Sequence, residues 1–401
     1  MAATTFTTTG DAEFRDTVRA WCRDHVPRDW RQAQTGASDA EFVEFQQSWF
    51  RQLREAGFAV PHWPAEWGGG MSVAEQVALY QELAAHDAPR LVLPFVSIHH
   101  AASTLLGAGT DEQRRRHLPA ILDGEIWCQG FSEPGAGSDM AAIRTAARRD
   151  GDAYVVNGQK LWASGAVHAD WCLLLARTDP DAAKRHGISY FLLDMRTPGV
   201  DVRPIRQATS ESHFAEIFLD DVRIPAANLV GPENDGWRVA QQTLGAERGM
   251  TMLELAERLH HGGFRWLVDL CAQPGPNGAR PLDDSRVTDR LAQLETELTG
   301  LRLLVADFVA DDHPGAADAS VVKLYYSELL QRLMDFGTEI GGLAAQTRLR
   351  KPLSSGWESA CWALDFVGSW EWTIPGGSSE IQRTIIGERG LGLPREPGGT
   401  R

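Results

Sequence analysis

GFSEPGAGSD, residues 130–139, is where the pattern of the sequence turns over. Three glycines and a proline in ten residues exclude a helix or strand interior, since proline lacks the amide donor and glycine loses the most freedom on ordering. The stretch is an irregular loop. Upstream of it, over residues 11 to about 120, apolar residues recur at three and four, as in Phe42, Phe45, Phe50 and Leu53 or Val77, Tyr80, Leu83 and Ala84, which predicts helices. PHWPAEWGGG at 61–70 interrupts them as a second loop. Downstream, short β-rich runs at 153–156, 171–176, 188–193 and 217–219, punctuated by DG, NG and PG turns, predict a small β domain. From residue 235 helical spacing returns around 236–272, 286–310, 320–350 and 357–371, separated by the loops QPGPNGARP and DDHPGAAD. The expected fold class is α+β, with a helical domain over 1–124, a barrel-like β domain over 125–232 and a helical bundle over 233–401.

Composition narrows the function. The 401 residues carry a formal charge of −15, with 43% hydrophobic and 23% charged residues, the balance of a folded chain that buries a large core. An acidic surface repels phosphate backbones, so nucleic acid is excluded as a partner. The uncharged stretch 91–110 reaches membrane length, but Pro94, His99 and His100 make it a buried helix rather than a span, and no membrane partner is expected. MAATTFTTTG at the start has no basic or long apolar region, so the expected compartment is the cytoplasm. Cys22, Cys128, Cys172, Cys271 and Cys361 are scattered without a CxxC pair, and adjacent His99 and His100 point about 100° apart on a helix, so no metal site is expected. GxGxxG and GxxxxGK[ST] are absent. Residues 130–132 begin a nucleophile-elbow pattern, but Pro134 stands where its closing glycine belongs.

Four strings in order, WPAEWGG at 63–69, GFSEPGAGSD at 130–139, NGQKLWAS at 157–164 and IPGGSSEIQRTIIGERGLGLP at 374–394, together with the helix, β, helix pattern, resemble the acyl-CoA dehydrogenase family over nearly the whole chain. The resemblance is to the FAD-dependent bacterial type and implies desaturation of an acyl-CoA thioester, with electrons passed to an electron-transfer flavoprotein. A flavin ring needs a flat apolar surface and a few hydrogen-bonding groups, and Gln129, Phe131, Ser132, Trp162 and Ser164 supply those types. By resemblance the amide and hydroxyl of Ser132 meet the pyrimidine edge, Trp162 covers an edge of the ring and Ser164 stands near N5. Phe131 replaces the family's usual small aliphatic residue. Ser138 maps onto a position that bonds the thioester chain, while Asp139 reads as a cap for the following turn.

Removing the α proton as a hydride leaves the β carbon requires a base. Aligned through SSEIQR, the loop position that carries the glutamate in many members is Gly376, which retains only its N–H for the substrate carbonyl oxygen. A minority, including the isovaleryl and long-chain types, places the glutamate on the helix that opens the bundle, before an arginine. LGAER supplies Glu247 and Arg248 there, and helical spacing sets Ala240, Leu244, Glu247 and Thr251 on one stripe, where partial burial would raise the carboxyl pKa. Arg248 is carried over with it as a substrate-binding residue, and Glu380 is the second candidate for the base. Arg280 resembles a pyrophosphate-binding arginine, Ser378 and Glu380 the nucleotide end, and Gly341 with Gly342 a glycine pair approached by a neighbouring subunit's FAD. Those positions imply a homotetramer or homodimer. Arg383 is open between a cofactor contact and a structural ion pair. Two alternatives remain open: a non-catalytic subunit of a mixed oligomer, and a related flavoenzyme acting on carrier-protein-bound acyl groups.

Overall fold

The computed structural model describes residues 9–246, 249–275, 278–311, 315, 317–347 and 358–395. It divides into two compact units: a helical unit from Met1–Ser38, Met71–Arg90 and Arg248–Arg401, and a sheet unit from Asp39–Gly70 and Leu91–Glu247.

The sheet unit is built on eight strands: β1 (Trp127–Gly130), β2 (Ala146–Asp150), β3 (Ala153–Ser164), β4 (Trp171–Arg177), β5 (Ile188–Asp194), β6 (Val200–Ile205), β7 (Phe214–Pro225) and β8 (Leu229–Val230). Their order is β6-β7-β3-β2-β4-β5-β8, with β1 also on β4. β1 and β2 run parallel to β4 on the edge opposite β5, β1 against its first half and β2 at Arg177. Residues 131–145 are thus an excursion that leaves the sheet at one point of β4 and returns farther along it. β4 and β5 are buried on both faces, which explains their unbroken apolar runs. One face packs Cys172, Leu174, Ala176, Phe191 and Leu193 into a core with Tyr154, Ile217 and Val222. On the other, the Tyr190 hydroxyl lies 3.2 Å from that of Thr104 and 3.4 Å from that of Thr243. This buried trio joins β5 to helices Ala102–Ala108 and Gly236–Ala246.

Several expectations change. β3 continues through Asn157 and Gly158, with a register shift against β7 between Val156 and Gly158, so that NG pair is no turn. Gly158 is required by close approach instead, because a Cβ there would meet Thr145 Oγ1 at 2.5 Å. The stretch 91–110 becomes helical only past Pro94, through a wide π turn at Val96–Ala101 that continues into Ala102–Ala108. Its Val92, Leu93, Ile98, Ala101 and Leu105 are buried, and no helix among the described residues is long and apolar enough to cross a membrane.

In the helical unit, Thr9–His25 and Val73–Ala85 pack together, and Val73–Ala85 packs on Met250–Arg258, with Ser285–Ala310, Asp318–Thr347, Trp362–Ser369 and Ser379–Ile385 completing the bundle. Ion pairs stitch these distant segments. Arg15 and Arg19 both donate to Glu82, Gln81 and Arg302 donate to Glu257, and Arg258 bonds Glu254 and the Ala88 carbonyl. The stripe expected through residues 240–251 is interrupted before Thr251: Gly249 is non-helical (φ −94°, ψ −88°) and a separate helix begins at Met250.

Candidate active site

The sheet unit carries the signature loop and the strand beside it. β3 pairs Lys160 with Ile217 but Ala163 with Ala215, so one extra residue bulges out of β3 between them. At that bulge Trp162 adopts a left-handed backbone (φ 61°), and its side chain is 55% exposed, touching Phe214 edge-on at 6.1 Å. A large indole held out of a sheet by a strained residue is a platform rather than a core element. Ser164 ends the same strand half-buried. Phe131, by contrast, is 6% exposed and packs edge-on against Tyr190, so its ring belongs to the core.

The loop is rigid in its hydrogen bonding. Glu133 and Ala136 exchange backbone bonds in both directions, at 3.1 and 3.0 Å, which closes a tight turn over Pro134 and Gly135. Leu161 N–H donates to the Ser132 carbonyl at 2.9 Å. Beneath the turn, Lys160 Nζ donates to Glu133 Oε1 at 2.8 Å and to the Phe131 carbonyl at 3.2 Å. The amides of Arg144 and Thr145 donate to the same carboxylate at 2.6 and 3.0 Å. Burial opposes the charge on Glu133, yet the Lys160 ammonium and these hydrogen bonds outweigh it and hold the carboxyl below its ordinary range. Burial draws the Lys160 ammonium below the usual lysine value against the pull of Glu133. Both residues stand inside the quoted strings, yet neither is assigned a role by sequence reasoning; the signal is an inward-facing lysine among the alternating residues of β3. Ser138 is exposed. Asp139 makes no cap bond and pairs instead with Lys184 at 2.8 Å, because a 3-10 turn of three residues offers its side chain no well-placed amide.

Two features of the sheet unit invite a hydrogen-bonding planar ligand. The Gln129 Nε2 is buried without a hydrogen-bond partner, and no residue among those described accepts the Ser132 N–H. With the Trp162 platform these groups fit the edge and face of a flavin ring. Glu247 and Arg248 lie outside the described residues.

The helical unit carries the double-glycine loop. Gly376 and Gly377 both take left-handed backbone (φ 65° and 92°), and a side chain at Gly376 would meet nothing within 4 Å. Gln382 Nε2 donates to the Gly376 carbonyl at 2.6 Å and Lys323 Nζ to the Gly377 carbonyl at 2.7 Å, two contacts with no signature in the sequence. Ser378 caps helix Ser379–Ile385, accepting from the Ile381 amide at 3.4 Å. Glu380 is exposed on the first turn of that helix, its carboxyl held low by its own amide and the Ser378 hydroxyl, an environment poorly suited to a base. Arg383 pairs with Glu328, the structural alternative. Arg280 forks onto Asp283 at 2.7 Å. Gly342 breaks Asp318–Thr347 with φ 52° and ψ −140°.

The acyl-CoA dehydrogenase N-terminal domain matches residues 8–125, the middle domain 128–222 and the C-terminal domain 234–391. The chain belongs to the acyl-CoA dehydrogenase family. It is 39% identical to the acyl-CoA dehydrogenase IpdE1 of Mycolicibacterium smegmatis over 96% of this chain and 98% of that protein. Among solved structures it is similar to the Tcur3481-Tcur3483 steroid ACAD, at 30% identity and a TM-score of 0.83 over 98% of this chain and 100% of that one. It is also similar to a chain of the ChsE4-ChsE5 complex from Mycobacterium tuberculosis, at 31% identity and a TM-score of 0.83 over 99% and 100%. As an acyl-CoA dehydrogenase the chain is a flavin-dependent oxidoreductase acting on CH–CH groups, and it has the family's fold.

Proposed function

We propose that this acyl-CoA dehydrogenase takes FAD and desaturates thioesters whose acyl group is bulky or ring-bearing close to the α carbon. The observation that carries the substrate reading is the open space at Gly376, where a loop glutamate would otherwise stand. The likeness to a steroid ACAD supports it. When bound, FAD supplies the acceptor for the β hydride. Trp162 and Ser164 orient its ring, while Ser132 and Gln129 bond its edge. Ser378, Glu380, Arg280, Gly341 and Gly342 serve the nucleotide end, and Ser138 with Arg248 the thioester. The Gly376 N–H, which no described residue accepts, donates to the thioester carbonyl oxygen and stabilises the enolate-like charge as the α proton leaves. Glu247 takes that proton. Electrons pass to an electron-transfer flavoprotein in the cytoplasm. The assembly is a homotetramer or homodimer, with a mixed oligomer as the second reading, favoured by the resemblance to the ChsE4-ChsE5 complex.

The test is anaerobic bleaching of the flavin band by a panel of acyl-CoA thioesters, in wild type and in Glu247→Gln. A ring-bearing thioester should reduce the flavin faster than the butyryl thioester. Glu247→Gln should lower the reduction rate about 10²- to 10⁴-fold with thioester binding retained, because the amide keeps the shape but accepts no proton at neutral pH. A wild-type rate in that variant removes Glu247 as the base, and better turnover of butyryl thioester removes the bulky-substrate reading.

A further inference from the structure

We propose that Lys160 and Glu133 are positioning residues that aim the Ser132 N–H at the flavin, an inference resting on the cofactor reading above. Lys160 is 0% exposed and Glu133 8%. A buried ion pair is weak evidence of stabilisation, since apolar residues of equal volume serve as well or better. Its presence here is explained by where its donors and acceptors go.

The carbonyl of Phe131 and the N–H of Ser132 belong to one planar, trans peptide and point in opposite directions. By gripping that carbonyl at 3.2 Å, the Lys160 ammonium fixes the direction of the Ser132 N–H. The next peptide is fixed at both ends, its Ser132 carbonyl by the Leu161 amide and its Glu133 N–H by the Ala136 carbonyl. Glu133 in turn anchors the ammonium at 2.8 Å and is itself tied to the chain returning towards β2 through the amides of Arg144 and Thr145. The Ser132 N–H, left without a protein acceptor, is therefore pre-aimed and loses little freedom on meeting a ligand. The strand that supplies Lys160 also presents Trp162 two residues on, so one pair sets the edge donor and the ring platform in a fixed relation.

The experiment compares wild type with the double variant Lys160→Met, Glu133→Gln, which keeps the volume and leaves no unpaired buried charge. Both are stripped of flavin and titrated with FAD. Wild type should bind, and the double variant should melt within a few degrees of it yet bind FAD about 10- to 100-fold more weakly, the scale expected for residues one step removed from a bound group, with the vibrational structure of the flavin band lost. Equal Kd and an unchanged band overturn the proposal while the cofactor reading stands. A wild type that binds no FAD overturns the cofactor reading, and the proposal with it. Should the double variant not fold, amide exchange on flavin-free wild type decides. Protection at Arg144, Thr145 and Leu161 before FAD is added, with Ser132 protected only afterwards, supports the proposal; rapid exchange at those three, or a Ser132 amide indifferent to FAD, overturns it.

Discussion

In the helical unit Arg258, 3% exposed, lies between Glu254 at 2.8 Å and Glu358 at 3.5 Å, whereas in the sheet unit Lys160, 0% exposed, meets the carboxylate of Glu133. The two burials differ in reach. Arg258 bonds Ala88 across 170 residues of sequence, and Arg31 bonds the Glu358 carbonyl across 327, so these guanidiniums hold together segments that the chain separates widely. Lys160 and Glu133 are 27 residues apart, and what they hold is the direction of one peptide. Arginine, charged at any accessible pH and offering five donors, suits the first task; a compact ammonium suits the second. Buried charge in the helical unit therefore governs assembly of the chain, and in the sheet unit the geometry of a ligand contact.

Three measurements can break or sharpen that contrast. Arg258→Met leaves Glu254 and Glu358 without their shared cation and should destabilise the protein by about 3–5 kcal/mol, read from guanidinium unfolding; an unshifted midpoint would remove the stitching role. Acidification should act next. Burial first, then Arg302 and His261, lower the His260 pKa to about 4, whereas an unfolded histidine titrates near its ordinary 6.5. Between those values the unfolded chain binds the extra proton, so this stability is complete above pH 6.5 and is lost as pH falls towards 4. Thermal melts at pH 7 and 5 should show the loss, and His260→Asn should shrink it; an identical slope in the variant assigns the acid sensitivity to other groups. The smallest effect concerns a device the two units share. Ser72 with Glu75 in the helical unit and Thr110 with Gln113 in the sheet unit both form capping boxes, so Ser72→Ala and Thr110→Ala should each cost about 1 kcal/mol. A large difference between them would mean that local caps, too, differ between the units.

The parts of the fold legible in the sequence are those governed by local periodicity. β4 and β5 are legible because burial on both faces makes them unbroken apolar runs. β2 (AARRD) and β6 (VDVRPI) are mostly exposed and carry no such run, so their strands emerge only from pairing with neighbours. Gly158 reads as a turn because an Asn-Gly pair is the commonest hairpin signal, while its actual task, making room for Thr145, is tertiary. The same limit applies to the site. Trp162, Ser132 and Gly376 become candidates through their strings, but the bonds beside them, from Lys160, Gln382 and Lys323, join residues whose spacing has no period.

The helical unit draws on three separated segments of chain, and this gives its folding a schedule. Helix Thr9–His25 can meet Val73–Ala85 early, but Met250, which opens the helix that Val73–Ala85 also packs against, is synthesised about 165 residues after Ala85. At roughly 5–20 residues per second, that is a wait of about 8–33 s on the ribosome. During it the Leu91–Glu247 part of the sheet unit, with all eight of its strands, emerges, so Val73–Ala85 stands without its later partner while the sheet closes. A slowed or truncated synthesis would thus expose the helical unit, not the sheet, to misassociation and proteolysis.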